Sequence, residues 1–478
     1  MTQRLLLFLA VLLTSCSPRP EMNVILVIVD DLGWKDLTVT GSELYQTPHI
    51  DAFAESAVRF ERFYADSPVC SPTRAALMTG KHPARLDITN WIGGEQKGQL
   101  IQANYERHLP LEETTIAERF KEAGYATGFI GKWHLGDEGF YPENQGFDVN
   151  IGGHGAGQPA SYFWPYKREN GSPWDVPGLE EGNQGEYLTD RLTDEALDFI
   201  DSHPTDPFFL VLSHYSVHTP IQAKDSTTAP YLALLAESPP CDPEAAENDP
   251  VWSITRTCQG NAAYAAMVES TDDSMGRLVN HLTEQGLSAN TAIVFVSDNG
   301  GLSSLNLGRK PGPTSNKPLR AGKGYLYEGG IRIPFLVSNP RSSSTGVRSL
   351  RASTIDVVPT LLDLAGLESA ALDGRSLLDE AEYAGTLSSR PLFFHFPHYH
   401  GSGNRPSSAL IVGDYKLIQW LEDDSTELYH LSDDPGELHD LSELEPLRTE
   451  DLLEQLNTWR SQIDANMPYP NPDWSRAN

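Results

Sequence analysis

A run of apolar residues that ends in carboxylates, and that occurs twice, constrains this chain more than any other feature. The first is Met22-Asn-Val-Ile-Leu-Val-Ile-Val, closed by Asp30-Asp31. The second is Thr291-Ala-Ile-Val-Phe-Val-Ser, closed by Asp298-Asn299-Gly300. Such a run reads as a strand buried on both faces, inside a parallel sheet covered by helices. Pro207-Phe-Phe-Leu-Val-Leu-Ser-His214 reads as another. In open α/β sheets, ligands gather at the carboxyl ends of the strands. Adjacent carboxylates there repel one another unless a cation neutralises them, and hard oxygen donors suit Ca2+ or Mg2+. A solvated turn is the plain alternative for either end alone; two matching ends are more specific than one.

A second stretch carries a different chemistry: Cys70-Ser-Pro-Thr-Arg-Ala-Ala-Leu-Met-Thr-Gly-Lys81. Pro72 suits the first turn of a helix, and Arg74 to Met78 are good helix formers. Cys70 therefore sits just before or at a helix N-terminus, where unpaired N–H groups favour negative charge. A thiol there is acidified, and an anion is welcome. The plain alternative is a small, half-buried hydrophobe. Further along, Lys132 and His134 in Gly131-Lys-Trp-His-Leu-Gly136 are two apart and project to one side of an extended segment. An ammonium and an imidazole aimed together suit anion binding and proton transfer.

The string from Cys70 to Lys81 resembles the signature of the type I sulfatases, in which this cysteine is oxidised to formylglycine. Four other stretches are similar to the same family: Thr47-Pro-His-Ile-Asp51 through Phe60, Gly131 to Gly136, His218-Thr-Pro220, and Leu319-Arg-Ala-Gly-Lys-Gly324 with Glu328-Gly-Gly-Ile-Arg-Ile-Pro334. His49 stands where the family has asparagine, and Ala321 where it has glycine. The resemblance covers nearly all the mature chain. It implies an alkaline-phosphatase-like α/β fold: a large mixed, mostly parallel sheet flanked by helices, with a smaller C-terminal antiparallel sheet. It further implies one Ca2+ (Mg2+ second) enclosed by Asp30, Asp31, Asp298, Asn299 and residue 70. In the family's pattern residue 70 attacks sulfur as a hydrated aldehyde, and Asp298 orients it. Arg74 fixes that group, Lys132 and Lys323 hold the sulfate, His218 with Lys323 protonates the leaving oxygen, and His134 takes the last proton. His214 competes with His218 and reads better as structural.

The resemblance leaves three functions to weigh: a sulfatase acting on a sulfated polysaccharide or oligosaccharide, a phosphonate or phosphate-ester hydrolase, and a non-catalytic sulfoglycan-binding lipoprotein. A formylglycine-generating or maturase enzyme is the implied partner in biogenesis. The formal net charge of −31 argues against nucleic acid. It leaves room for a sulfated ligand, because surface charges are screened beyond about 8 Å at physiological salt.

Residues 1–15 read as a secretory leader, since Leu5 to Leu13 is too short an apolar run to span a membrane. Leu13-Thr-Ser-Cys16 resembles a bacterial lipobox, which implies lipidation of Cys16, a tether over 16–21, and a periplasmic or outer-membrane-attached protein. An ordinary leader is the alternative. Cys241 and Cys258 remain, and an exported context permits a disulfide between them; two free thiols are the other reading. The catalytic domain is expected over 22–370 and the small one over 371–478. Residues 137–186 read as substrate-side loops, with Gly153-His-Gly155 where the family supplies a further contact. His395, His398 and His400 are either surface or structural histidines or part of a sugar subsite.

Overall fold

The computed structural model describes residues 22–167, 176–250, 252–369 and 372–474. The leader, Cys16 and the tether lie outside them, as does the expected boundary at 370/371. The first carboxylate-ended run is strand β1 (Asn23–Val29). After it come helix α1 (Pro48–Glu55), β2 (Val58–Tyr64) and α2 (Cys70–Thr79). Helix α3 (Ile116–Glu122) leads to β3 (Ala126–Gly131) and β4 (Val149–Ile151). Helix α4 (Leu188–Asp201) leads to β5 (Phe208–His214), and α5 (Asp225–Glu237) and α6 (Ala262–Glu284) to β6 (Thr291–Ser297). Strands β7 (Arg332–Ile333), β8 (Phe335–Ser338) and β9 (Gly346–Ser353) and helix α7 (Val357–Leu364) complete this part.

These nine strands form one sheet in the order β7-β2-β8-β6-β1-β5-β3-β4, with β9 alongside β2. Strand β1 runs parallel to β5 and β6, and β3 runs parallel to β4 and β5. Strands β7 and β8 are antiparallel to their neighbours. The unbroken apolar pattern has a direct cause: in β1, Val24, Leu26 and Ile28 enter the core on one face, while Ile25, Val27 and Val29 enter the other. Each such side chain contributes about 1.5–3 kcal/mol relative to exposure. A polar residue on either face therefore costs more than a hydrogen bond repays.

Helix α3 starts at Ile116, because Thr115 and Glu118 form a reciprocal capping box at its N-terminus. The apolar stretch from Ser407 to Trp420 divides into two strands. Strands β10 (Leu392–Phe396), β11 (Ser407–Val412), β12 (Tyr415–Trp420) and β13 (Thr426–His430) make a separate antiparallel sheet in that order. The break falls at Gly413-Asp414, where Gly413 has φ +58° and Val412 pairs with Tyr415. Helix α8 (Pro446–Gln462) packs Leu452 and Leu456 on one face of this sheet. Its other face meets Tyr325, Leu326 and Tyr327 of the segment that follows Lys323. Cys241 and Cys258 form a disulfide within the segment between β5 and α6.

Candidate active site

The carboxyl ends of β1, β3, β5 and β6 converge, and the start of α2 points into the same place. Asp30 and Asp31 leave β1, and Asp298 and Asn299 leave β6; all four are buried. Cys70 is the first residue of α2, and its Sγ clusters with carboxylate oxygens of Asp30 and Asp298 within 4.8 Å of one another. Asp30 Oδ1, Asp31 Oδ2 and Asn299 Oδ1 are buried without a hydrogen-bond partner among the described residues. Leaving a buried acceptor unmade costs on the order of 1–3 kcal/mol, more for a charged one. Three such oxygens at the ends of the paired strands β1 and β6 are hard donors, so the residues present fit Ca2+ or Mg2+.

Cations frame the cluster. Arg74 Nε donates to Asp298 Oδ2 at 2.8 Å, and its Nη1 donates to the Lys132 carbonyl (2.6 Å) and Ser213 Oγ (2.7 Å). Lys132 Nζ lies 2.6 Å from Asp30 Oδ2, and Lys323 Nζ lies 2.5 Å from Asp31 Oδ1. Burial, and after it Asp298, pushes the Asp30 carboxyl well above its usual range. For Asp31 burial acts the same way, but Lys323, His218 and Lys132 outweigh it and hold the carboxyl low. Asp298 is likewise held low against burial, chiefly by Arg74. Burial alone pulls Lys323 down; Asp31 overcomes it and raises Lys323, which stays cationic.

The two expected histidines have defined hydrogen-bonding roles. His134 Nε2 donates to the Ile92 carbonyl at 3.1 Å, so its bare Nδ1 faces Cys70 Sγ at 3.4 Å as an acceptor. Burial, then Lys132, drives His134 well below the usual histidine range. His218 Nδ1 donates to the Thr219 carbonyl at 2.8 Å, and its Nε2 stands 3.7 Å from Asp31 Oδ2. Burial, then Lys323, pulls His218 down to about 3. His214 is buried against Ser274 Oγ at 2.9 Å, a structural place.

A cavity of about 780 Å3 opens onto this centre. Cys70, His134, His218 and Lys323 line it, while Arg74, Lys132 and the carboxylates are buried behind them. His154 and Gly155 of the expected 137–186 loops also line it. Of the three C-terminal histidines, only His400 does. His395 and His398 do not line it, and the reason is local. Alternation along β10 turns His395 toward α8, where it bonds Ser408 Oγ (2.8 Å) and the Asn466 carbonyl (3.0 Å). His398 is buried against Thr89 Oγ1 at 2.8 Å. Lys317 and Arg320 are committed elsewhere, to Glu247 and Asp249. Sequence reasoning missed Ser213, the Ile92 carbonyl and the cavity wall at Trp91 and Arg107. A serine in a strand and a backbone carbonyl carry no composition signal.

A family model described as Sulfatase matches residues 22–367, and one described as N-sulphoglucosamine sulphohydrolase, C-terminal, matches 321–462. The chain belongs to the sulfatase family. It is a sulfuric-ester hydrolase, which sets aside a purely binding role. It is 32% identical to N-acetylgalactosamine-6-sulfatase of Mus musculus, over 91% of this chain and 79% of that protein. It is 29% identical to a sulfatase of Formosa agariphila, over 96% and 94%. Among solved sulfatase-fold structures, Ps i-CgsB in complex with k-i-k-neocarrahexaose aligns with a TM-score of 0.73 and 28% identity, covering 95% of this chain and 94% of that one.

Proposed function

We propose that this sulfatase hydrolyses a sulfate ester on a sulfated poly- or oligosaccharide, with residue 70 as formylglycine and Ca2+ bound by Asp30, Asp31, Asp298 and Asn299. The observation that carries the reading is the trio of orphaned buried oxygens on Asp30, Asp31 and Asn299, with Asp30 and Asp298 clustered on Cys70, a residue that lines the cavity. The sugar enters from relatives: the mouse protein is named for N-acetylgalactosamine 6-sulfate, and Ps i-CgsB was solved with neocarrahexaose. Formylglycine supplies a hydrated aldehyde as oxygen nucleophile, and the cation supplies Lewis-acid polarisation of a sulfate oxygen.

The chain's own residues do the rest. Arg74 and Asp298 hold residue 70 in register with the carboxylates. Lys132 and Lys323 set positive charge against the sulfuryl oxygens. Lys323 carries its proton at Nζ on the leaving-group side, beside His218. His134, anchored by the Ile92 carbonyl, presents Nδ1 to receive a proton from residue 70. The same reading has the chain modified by a formylglycine-generating or maturase enzyme, exported, and anchored in a bacterial membrane through Cys16. The lipobox-like Leu13 to Cys16 and the Cys241–Cys258 disulfide support an oxidising compartment.

Cys70→Ala is expected to abolish release of sulfate from 4-nitrophenyl sulfate while the far-UV spectrum and melting temperature hold. Retained turnover sinks the formylglycine assignment. The mass of the tryptic peptide Phe63–Arg74 reads the modification directly. Faster cleavage of a phenyl phosphonate ester than of the sulfate transfers the reading to the phosphonate and phosphate-ester class.

A further inference from the structure

His400 is the one C-terminal histidine in the cavity, and its ring is fixed from two directions. Ser402 N donates to His400 Nδ1 at 3.1 Å, and Ser402 Oγ lies 2.8 Å from the same atom. A nitrogen that accepts from a backbone N–H carries no proton, so the proton of the neutral ring is on Nε2. Nε2 makes no hydrogen bond to the described residues. Burial keeps the ring neutral at physiological pH.

The strap that carries His400 is rigid. Three hydroxyls, those of Ser253, Ser304 and Tyr325, converge on the single carbonyl of Ser402 at 2.8–3.1 Å. Arg405, at its far end, lies over the rings of Trp252 and Trp420 at 3.9 and 5.1 Å from their centroids. On the other side the ring packs on Gly324, the residue after Lys323. A Cβ at position 324 would stand 2.3 Å from His400 Nδ1, and Gly324 has φ +90°. The glycine after the sulfate-side lysine is thus the seat of the imidazole. A donor immobilised in advance loses little entropy when a ligand arrives.

We propose that His400 selects carbohydrate over other sulfate esters: its Nε2–H donates to an uncharged sugar oxygen, a hydroxyl or ring oxygen of the residue that carries the scissile sulfate. A neutral donor next to Lys323 divides the labour, charge for the sulfuryl group and a directional hydrogen bond for the sugar. This rests on the proposed sulfatase reading and adds a specificity-determining residue to it. A site built to hydrogen-bond a substrate oxygen discriminates against a substrate that lacks it.

The test is the ratio of kcat/KM for sulfated galactan and glycosaminoglycan oligosaccharides to that for 4-nitrophenyl sulfate, which has no sugar oxygen. His400→Ala is expected to lower this ratio about tenfold, mainly through KM, on the scale of one lost hydrogen bond. His400→Gln, which keeps an N–H at similar reach, recovers part of it. Should the alanine variant fail to fold, His400→Phe keeps the ring volume over Gly324 and removes the donor. An equal loss on both substrates, or no loss on either, overturns the proposal. Wild-type protein that cleaves the aryl ester but none of the sugars overturns it, and the carbohydrate part of the proposed function with it, while sparing the sulfate-ester chemistry. Wild-type, formylglycine-bearing protein that cleaves neither overturns that reading too.

Discussion

His214 and His395 are buried neutral far from solvent, and both are pulled down to about 3 by burial. In the unfolded chain a histidine titrates near 6.5. Between those values the unfolded state binds a proton that the folded state refuses. Each histidine's contribution to stability is therefore complete above about 6.5 and is lost as pH falls through the window toward 3. From pH 7 to pH 5 the loss is about 2 kcal/mol per histidine. His395→Asn, measured by urea unfolding at both pH values, is expected to show a smaller drop than wild type by about that amount. An identical drop removes His395 as an acid-sensitive element. At the same scale, each of the three site carboxyl groups has its own cationic partner, Arg74 for Asp298, Lys132 for Asp30 and Lys323 for Asp31.

The end of β3 shows how an element delivers a side chain. Gly131 has φ +110°, and a Cβ there would stand 1.8 Å from the Ser213 carbonyl oxygen of the neighbouring strand. That carbonyl accepts from Lys132 N at 2.8 Å, and the Lys132 carbonyl accepts from Arg74. Gly131→Ala is expected to pull β3 off β5 and to cost several kcal/mol with loss of activity. Gly124→Ala, also at positive φ but with nothing within 4 Å, is expected to cost only about 1–2 kcal/mol. Similar melting temperatures for the two variants refute the strand-end argument. The sheet's strands were legible because burial on both faces leaves an unbroken apolar run, and α2 because Pro72 marks a first turn. The histidines near β10 were not separable by sequence. Which of them faces the cavity depends on the register of β10 and on α8 covering one face, and neither is encoded in the three histidines themselves.

Across the whole molecule, the site draws on residues from Asp30 to His400, and a chain of net charge −31 presents the cationic Lys323 to the cavity. Binding of a cation to the carboxylate cluster is expected to link local charge to global stability. Treatment with a chelator should lower the melting temperature, and restoring Ca2+ should raise it with the logarithm of the ion concentration. No shift with Ca2+ or Mg2+ speaks against a cation between β1 and β6. The strand order has one more consequence. Strand β1 lies at the centre of the sheet, where Val24 pairs with Phe209 on one side and Ala292 on the other. During synthesis one edge of its apolar ribbon waits for β5, which ends at His214, and the other for β6, which ends at Ser297. Folding of such a topology is slow, because distant segments must meet before any contact rewards them. Until then the ribbon is open to wrong partners.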